Sequence, residues 1–233
     1  MKCGISGENK LRIHHGESIM THSHQVDVNQ VIGVGISLIH ELVQSPQHLL
    51  GIAFEKASLY QGLQLHHAGL LAPLCSHADI SFSIEAHGLK VVSVFPSAVV
   101  AVQLSKRFGK EVRVDIYRTC PINGGSQALE VFRVVDGLEA GDINAAMSDV
   151  LHVAFAPDSS VDIGTLCKQM AEEGFEYAGG GVNYDDVKLT RDGITVLYFR
   201  NRILNGKIPK IELVLQGAQS FSDLVVDADS FVP

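Results

Sequence analysis

The stretch "KIELVLQG", Lys210 to Gly217, reads as a short β-strand closed by glycine, yet it carries Glu212 between Ile211 and Leu213. A carboxylate inside an apolar strand is costly unless something compensates its charge. The same device occurs earlier in "ALEVFRV", Ala128 to Val134, where Glu130 interrupts another apolar run. Upstream of each acid lies a short segment headed by histidine. "HADISFSIE", His77 to Glu85, alternates Ala78, Ile80, Phe82 and Ile84 with His77, Asp79, Ser81 and Ser83, which predicts a strand with one apolar face. "LHVAFAP", Leu151 to Pro157, is a second short alternating strand and carries His152.

An amphipathic helix is predicted after each of these strands. The first spans Ser97 to Phe108, with Ser97 as N-cap, Val100, Leu104 and Phe108 on one stripe, and Gly109 as the stop. The second spans Asp162 to Glu173, with Ile163, Leu166, Cys167 and Met170 aligned and Gly174 as its stop. Strands follow each helix: "GLKVVSVF" before the first, then "EVRVDIYR" and "QALEVFRV"; "VKLT", "ITVLYFRN" and "IELVLQG" after the second. The order describes one unit used twice. The expected fold is therefore α+β, with one strand-helix-strands module occurring twice in a mixed sheet.

The remaining divisions follow from that core. Residues 1–25 show no element signals and are expected to be weakly ordered; 26–75 form a helical extension with apolar positions near 3.6 spacing, divided at Pro46 and closed at Pro73. The modules are expected at 76–137 and 150–217, and 218–233 as a tail. A composition of 46% hydrophobic and 19% charged residues is that of a globular chain, and a net charge of −8 disfavours a nucleic-acid partner. No apolar run approaches a membrane span, and the N-terminus lacks the apolar middle of a secretory signal, so a cytoplasmic protein is expected. Cys3, Cys75, Cys120 and Cys167 form no paired motif and read as buried free thiols.

If the strands curve together, His77 and Glu130 of one unit meet His152 and Glu212 of the other. Two imidazoles and two carboxylates suit a divalent transition metal such as Fe, Mn, Ni, Co or Zn. Here the chain resembles the vicinal oxygen chelate superfamily, which includes glyoxalase I, methylmalonyl-CoA epimerase, extradiol dioxygenases and the bleomycin and fosfomycin resistance proteins. "HADISF" with "ALEV" and "HVAF" with "KIEL" carry the resemblance, over about residues 77–216. It implies two βαβββ modules forming a curved, cup-shaped mixed sheet, and metal ligands His77, Glu130, His152 and Glu212, with Glu130 or Glu212 also shuttling a proton on a small substrate that chelates the metal through adjacent oxygens. That is isomerase or lyase chemistry. A non-haem iron dioxygenase using His77, His152 and Glu212, and a non-catalytic binding protein of the resistance type, are the alternatives. Tyr198 and Arg200 share a face of "LYFRN" and are candidates for an anionic part of the substrate. The resemblance also leaves room for a homodimer.

Other motifs carry less. His66 and His67 are adjacent and should point in different directions, making a poor chelate. His14, His15, His22 and His24 belong to the weakly ordered terminus. "GVGIS" lacks the third glycine of a dinucleotide fingerprint, and "AGGG", Ala178 to Gly181, reads as a flexible connection at the rim.

Overall fold

A computed structural model describes residues 26–44, 61–122, 125, 127–183, 193–201 and 209–217. The apolar segment around Leu49 to Leu59, the "VKLT" strand and both chain termini lie outside these residues. Among the described residues there are five helices and eight strands, and no helix is long and apolar enough to cross a membrane.

Helix α1, Val28–Gln44, buries Val31, Ile32, Gly35, Leu38, Ile39 and Leu42, a stripe of helical spacing. It packs on strand β1, Leu63–Leu71. The second glycine of "GVGIS" serves this contact: a Cβ on Gly35 would stand 2.6 Å from Leu129 Cδ1 and 2.8 Å from Leu70 Cδ2. A helical extension was expected through residue 75, but residues 63–71 are a strand. It follows Gly62, whose φ of 84° suits glycine, and it supplies the first strand of the first module.

"HADISFSIE" is correspondingly not a strand. His77–Ala86 is helix α2, opened by a capping box in which the Ser76 hydroxyl accepts from Asp79 N (3.2 Å) and the Asp79 carboxylate accepts from Ser76 N (2.8 Å). The residues it buries, Ile80, Ser83 and Ile84, follow helical spacing, while Phe82 is 69% exposed. The alternation of the sequence was coincidental.

Strand β2, Val91–Pro96, leads into α3, Ala98–Phe108, with the expected Ser97 cap and a left-handed Gly109 at its end. Strands β3, Arg113–Thr119, and β4, Ala128–Asp136, complete the first module. Helix α3 is thus an insertion between β2 and β3, and α2 is the helix of the module. Helix α4, Ala140–Val150, links the halves. The second module is β5, His152–Pro157; α5, Ile163–Glu172, capped by Asp162; β6, Phe175–Asn183; β7, Ile194–Asn201; and β8, Lys210–Gln216. "AGGG" lies inside β6 rather than in a loop. Its glycines admit α3, which packs on β6: a Cβ on Gly181 would lie 3.1 Å from Val99 Cγ2.

All strands form one mixed sheet in the order β2-β3-β4-β1-β5-β8-β7-β6. Within each module the first and last strands are parallel, β1 with β4 and β5 with β8, and β1 and β5 join the modules antiparallel. One apolar core, built on α1, α2 and α5, includes Ile32, Ile84, Val131 and Leu166. A second lies between α3, α4 and the other face of the first module, with Leu104, Phe132, Val134 and Ile143. Glu130 shares that second face with Phe132 and Val134, by strand alternation.

Candidate metal centre

The four central strands, β4, β1, β5 and β8, are neighbours in the sheet, and each contributes one polar side chain to the same face. Register explains how. Glu130 pairs with Gly69, two residues beyond His67; Glu212 pairs with Ala154, two residues beyond His152. The modules therefore share one arrangement, a histidine on the first strand and a glutamate opposite the position two residues on.

Across the β1–β5 junction, His152 faces Gly69 and His67 faces Ala154. Each imidazole thus sits opposite a minimal side chain. A Cβ on Gly69 would lie 2.1 Å from His152 Cε1 and 2.3 Å from its Nε2. The glycine is the space the ring occupies.

The four groups are buried, His152 to 1% exposure and Glu212 to 3%. His67 Nε2 lies 3.2 Å from His152 Nε2, 3.4 Å from Glu130 Oε2 and 3.9 Å from Glu212 Oε2; His152 Nε2 lies 2.9 Å from Glu212 Oε2. Neighbouring donors on a metal ion with bonds near 2.1 Å stand about 3 Å apart. His67, His152 and Glu212 converge closely enough to hold one ion, with Glu130 Oε2 alongside.

Protonation sharpens the fit. His152 Nδ1 lies 2.7 Å from the Val150 carbonyl oxygen, which can only accept, so Nδ1 carries hydrogen and Nε2 is the nitrogen turned toward His67 and Glu212. Burial, aided by His152, His66 and Arg118 and opposed by Glu212, holds His67 well below the ordinary imidazole range. Burial works hardest against the charge of Glu212, yet the attraction and hydrogen bond of His152, together with His67, leave its carboxyl below the usual value against the opposition of Glu130. Two imidazole Nε2 atoms and two carboxylates converge on one buried point. The donor set fits a divalent transition metal.

The surrounding groups hold the carboxylates. Arg118 donates to Glu130 Oε1 from Nε (2.9 Å) and Nη2 (2.8 Å), and its guanidinium lies 5.3 Å from the Phe95 ring centroid. The buried Tyr198 hydroxyl is hydrogen-bonded to Glu212, and burial, then Glu212 and Glu130, push its pKa well above the phenol range. Lys210 Nζ rests 4.7 Å from the centroid of the Tyr198 ring, and burial, with Arg200 adding and Glu212 opposing, lowers its pKa to about 8. A cavity of about 100 Å³ opens on the centre, lined among others by His66, Ser97, Val99, Arg118 and Tyr198.

Of the residues singled out in the sequence, the structure brings Glu130, His152, Glu212 and Tyr198 together. His77 stands elsewhere, exposed at the start of α2 with its Nδ1 2.7 Å from the Tyr117 hydroxyl, and His67 occupies the position expected of it. Arg200 is not among the residues that line the cavity and donates to Asp149 Oδ1 at 2.9 Å. His66 and His67 were set aside as adjacent residues. A bulge in β1 between Leu65 and His67 defeats that reasoning, and both line the cavity.

Compared as a sequence, the chain matches no protein-family model and no curated protein. Among solved structures it is similar to methylmalonyl-CoA epimerase from Mycobacterium tuberculosis, at 12% identity over 68% of this chain and 91% of that one, with a TM-score of 0.40. It is also similar to methylmalonyl-CoA epimerase from Streptomyces coelicolor, at 14% identity over 66% and 95%, TM-score 0.41. A glyoxalase family protein from Bacillus cereus shares 16% identity over 66% and 95%, TM-score 0.27. Independently of these, the chain's own strand pairing is the paired βαβββ arrangement expected from the vicinal oxygen chelate resemblance.

Proposed function

We propose that this chain is a metal-dependent enzyme of the vicinal oxygen chelate type, catalysing proton transfer next to a carbonyl in a small substrate, as an isomerase or lyase. One observation carries the reading: His67 and His152 turn their Nε2 atoms toward each other at 3.2 Å, between Glu130 and Glu212, with the far nitrogen of His152 pinned by a backbone carbonyl.

His67 and His152 through Nε2, and Glu130 and Glu212 through Oε2, are the residues that would hold the ion. When bound, a divalent metal supplies a Lewis acid that polarises two adjacent substrate oxygens and favours loss of a proton from the neighbouring carbon. Glu130 and Glu212 are the carboxylates within reach of that proton and can return it to the adjacent carbon or to the opposite face. Tyr198 orients Glu212, Arg118 orients Glu130, and the buried setting keeps bulk water from the reacting carbon. The small cavity favours a compact reacting group, with any larger part of the substrate outside it.

A second reading has its own support. His67, His152 and Glu212 converge without Glu130, whose Oε1 takes two hydrogen bonds from Arg118, and this two-histidine, one-carboxylate triad suits a non-haem iron dioxygenase.

Elemental analysis of protein purified without a histidine tag tests both, and approximately one Fe, Mn, Ni, Co or Zn per chain is expected. Metal-loaded protein is then incubated with 2-hydroxycarbonyl and 2-acyl thioester compounds in D2O and followed by NMR for carbon-bound deuterium. Absence of stoichiometric metal under any loading condition would refute both enzymatic readings, and oxygen consumption without deuterium exchange would favour the second.

A further inference from the structure

We infer that His66 is a positioning residue for this centre: it accepts the Nδ1 hydrogen of His67 and so holds that imidazole with a bare Nε2 turned toward Glu130, His152 and Glu212. The inference rests on the metal reading above and extends it to a residue that does not itself meet the ion.

In a regular strand, neighbouring side chains leave opposite faces. At His66 the pairing of β1 with β5 slips, since Leu65 faces Phe155 and His67 faces Ala154, so three residues of β1 span two of β5. The extra residue lets both imidazoles reach the cavity side, where the rings meet edge to face with centroids 5.1 Å apart. Their Nδ1 atoms are 2.8 Å apart. Two ring nitrogens at that distance must share one hydrogen. If His66 donated, neutral His67 would carry its hydrogen on Nε2, aimed at His152 Nε2, and could not serve as a ligand.

The two ligand histidines thus have matching supports. His152 follows α4 directly and finds the Val150 carbonyl at 2.7 Å. His67 lies in a strand paired on both sides, by β4 and β5, where backbone carbonyls are engaged in the ladders. A side chain must take the carbonyl's place, and the bulge delivers one.

The test uses the full, untagged chain and Co(II) in competition with a chromophoric chelator. Partners on the far nitrogen of a ligand histidine typically contribute 10–100-fold in metal affinity. His66→Ala and His66→Phe should each weaken Co(II) binding by about that factor, the Phe variant because it keeps the ring volume without an acceptor. His66→Asn, which offers a carbonyl oxygen, should recover most of the loss. Equal affinity in all three variants and the unsubstituted chain would overturn the inference while leaving the metal reading intact. Failure of the unsubstituted chain to bind Co(II) would remove the metal reading and this inference with it. Should substitution at the bulge unfold the protein, nitrogen-15 NMR of the unsubstituted Zn(II)-loaded chain still decides. Hydrogen on His67 Nδ1, with coupling across to His66 Nδ1, supports the inference, and its absence from His67 Nδ1 overturns it.

Discussion

Gly69→Ala isolates the packing of the centre from its chemistry. Gly69 is not among the glycines with positive φ, so alanine is compatible with its backbone. In an ordinary position the change would stabilise the fold by about 0.4–1 kcal/mol through the unfolded chain. Here the new methyl would stand 2.1 Å from His152 Cε1 and 2.3 Å from Nε2, where ordinary contact begins at 3.4 Å. Relief requires the ring to withdraw by an ångström or more, yet Val150, Glu212 and His67 grip it on its other sides. Overpacking of this kind costs about 1–3 kcal/mol, so the net change is destabilising. A misplacement of about 1 Å also costs on the order of a hundredfold where geometry governs function. Thermal unfolding of the metal-free protein reads the first effect, and competitive Co(II) titration reads the second. A Gly69→Ala protein that melts higher than the original and binds Co(II) equally would refute the account of the glycine and the placement of His152.

The two acids separate the enzymatic readings. Glu212→Gln should weaken metal binding and abolish turnover under either, whereas Glu130→Gln should disable a four-ligand isomerase yet leave a dioxygenase its iron and much of its rate; metal analysis and the matching assay read both. Burial raises the thiol of Cys167 to about 11, and burial with Asp79, partly offset by Arg133, does the same for Cys75. At pH 8 only about one thiol in a thousand is then ionised, so iodoacetamide labelling of these two peptides should rise about tenfold per pH unit through pH 10, instead of levelling near pH 9 as a free thiol does. Ser97→Ala removes the hydroxyl that accepts from Val100 N at 3.3 Å and should cost about 1 kcal/mol, lowering the melting temperature by about 2–4 °C.

What was legible in the sequence was local. An acid in an apolar strand is conspicuous in a few residues because burying it is costly wherever it lies, so Glu130 and Glu212 could be read together, and His152 with them. The helices at 98–108 and 163–172 were legible because caps and stops are written within one turn of each end. Helix α2 carried such a signal too, Ser76 with Asp79, but the buried Ser83 interrupts its apolar stripe and left an alternating pattern that imitated a strand. Helix α4 buries only Ile143, Ala146 and Val150 and gave no comparable stripe.

His67, the first histidine of the buried cluster, was hidden for a different reason. Adjacent histidines make a poor pair in any regular element, and a bulge, which depends on the pairing of β1 with β5, is what voids that rule. Neither strand announces it alone. One trace was nonetheless present. If Glu130 and Glu212 are equivalent, their first-strand partners must be equivalent as well, and the residue two before each partner should be a histidine. That condition selects a position followed two residues later by something small enough to leave room for the opposing imidazole. His67 with Gly69, and His152 with Ala154, satisfy it; His77 is followed by Asp79, whose carboxylate would fill the space His152 needs. The glycine and alanine, more than the histidines themselves, distinguish a strand that brings an imidazole to this buried cluster from one that merely carries a histidine.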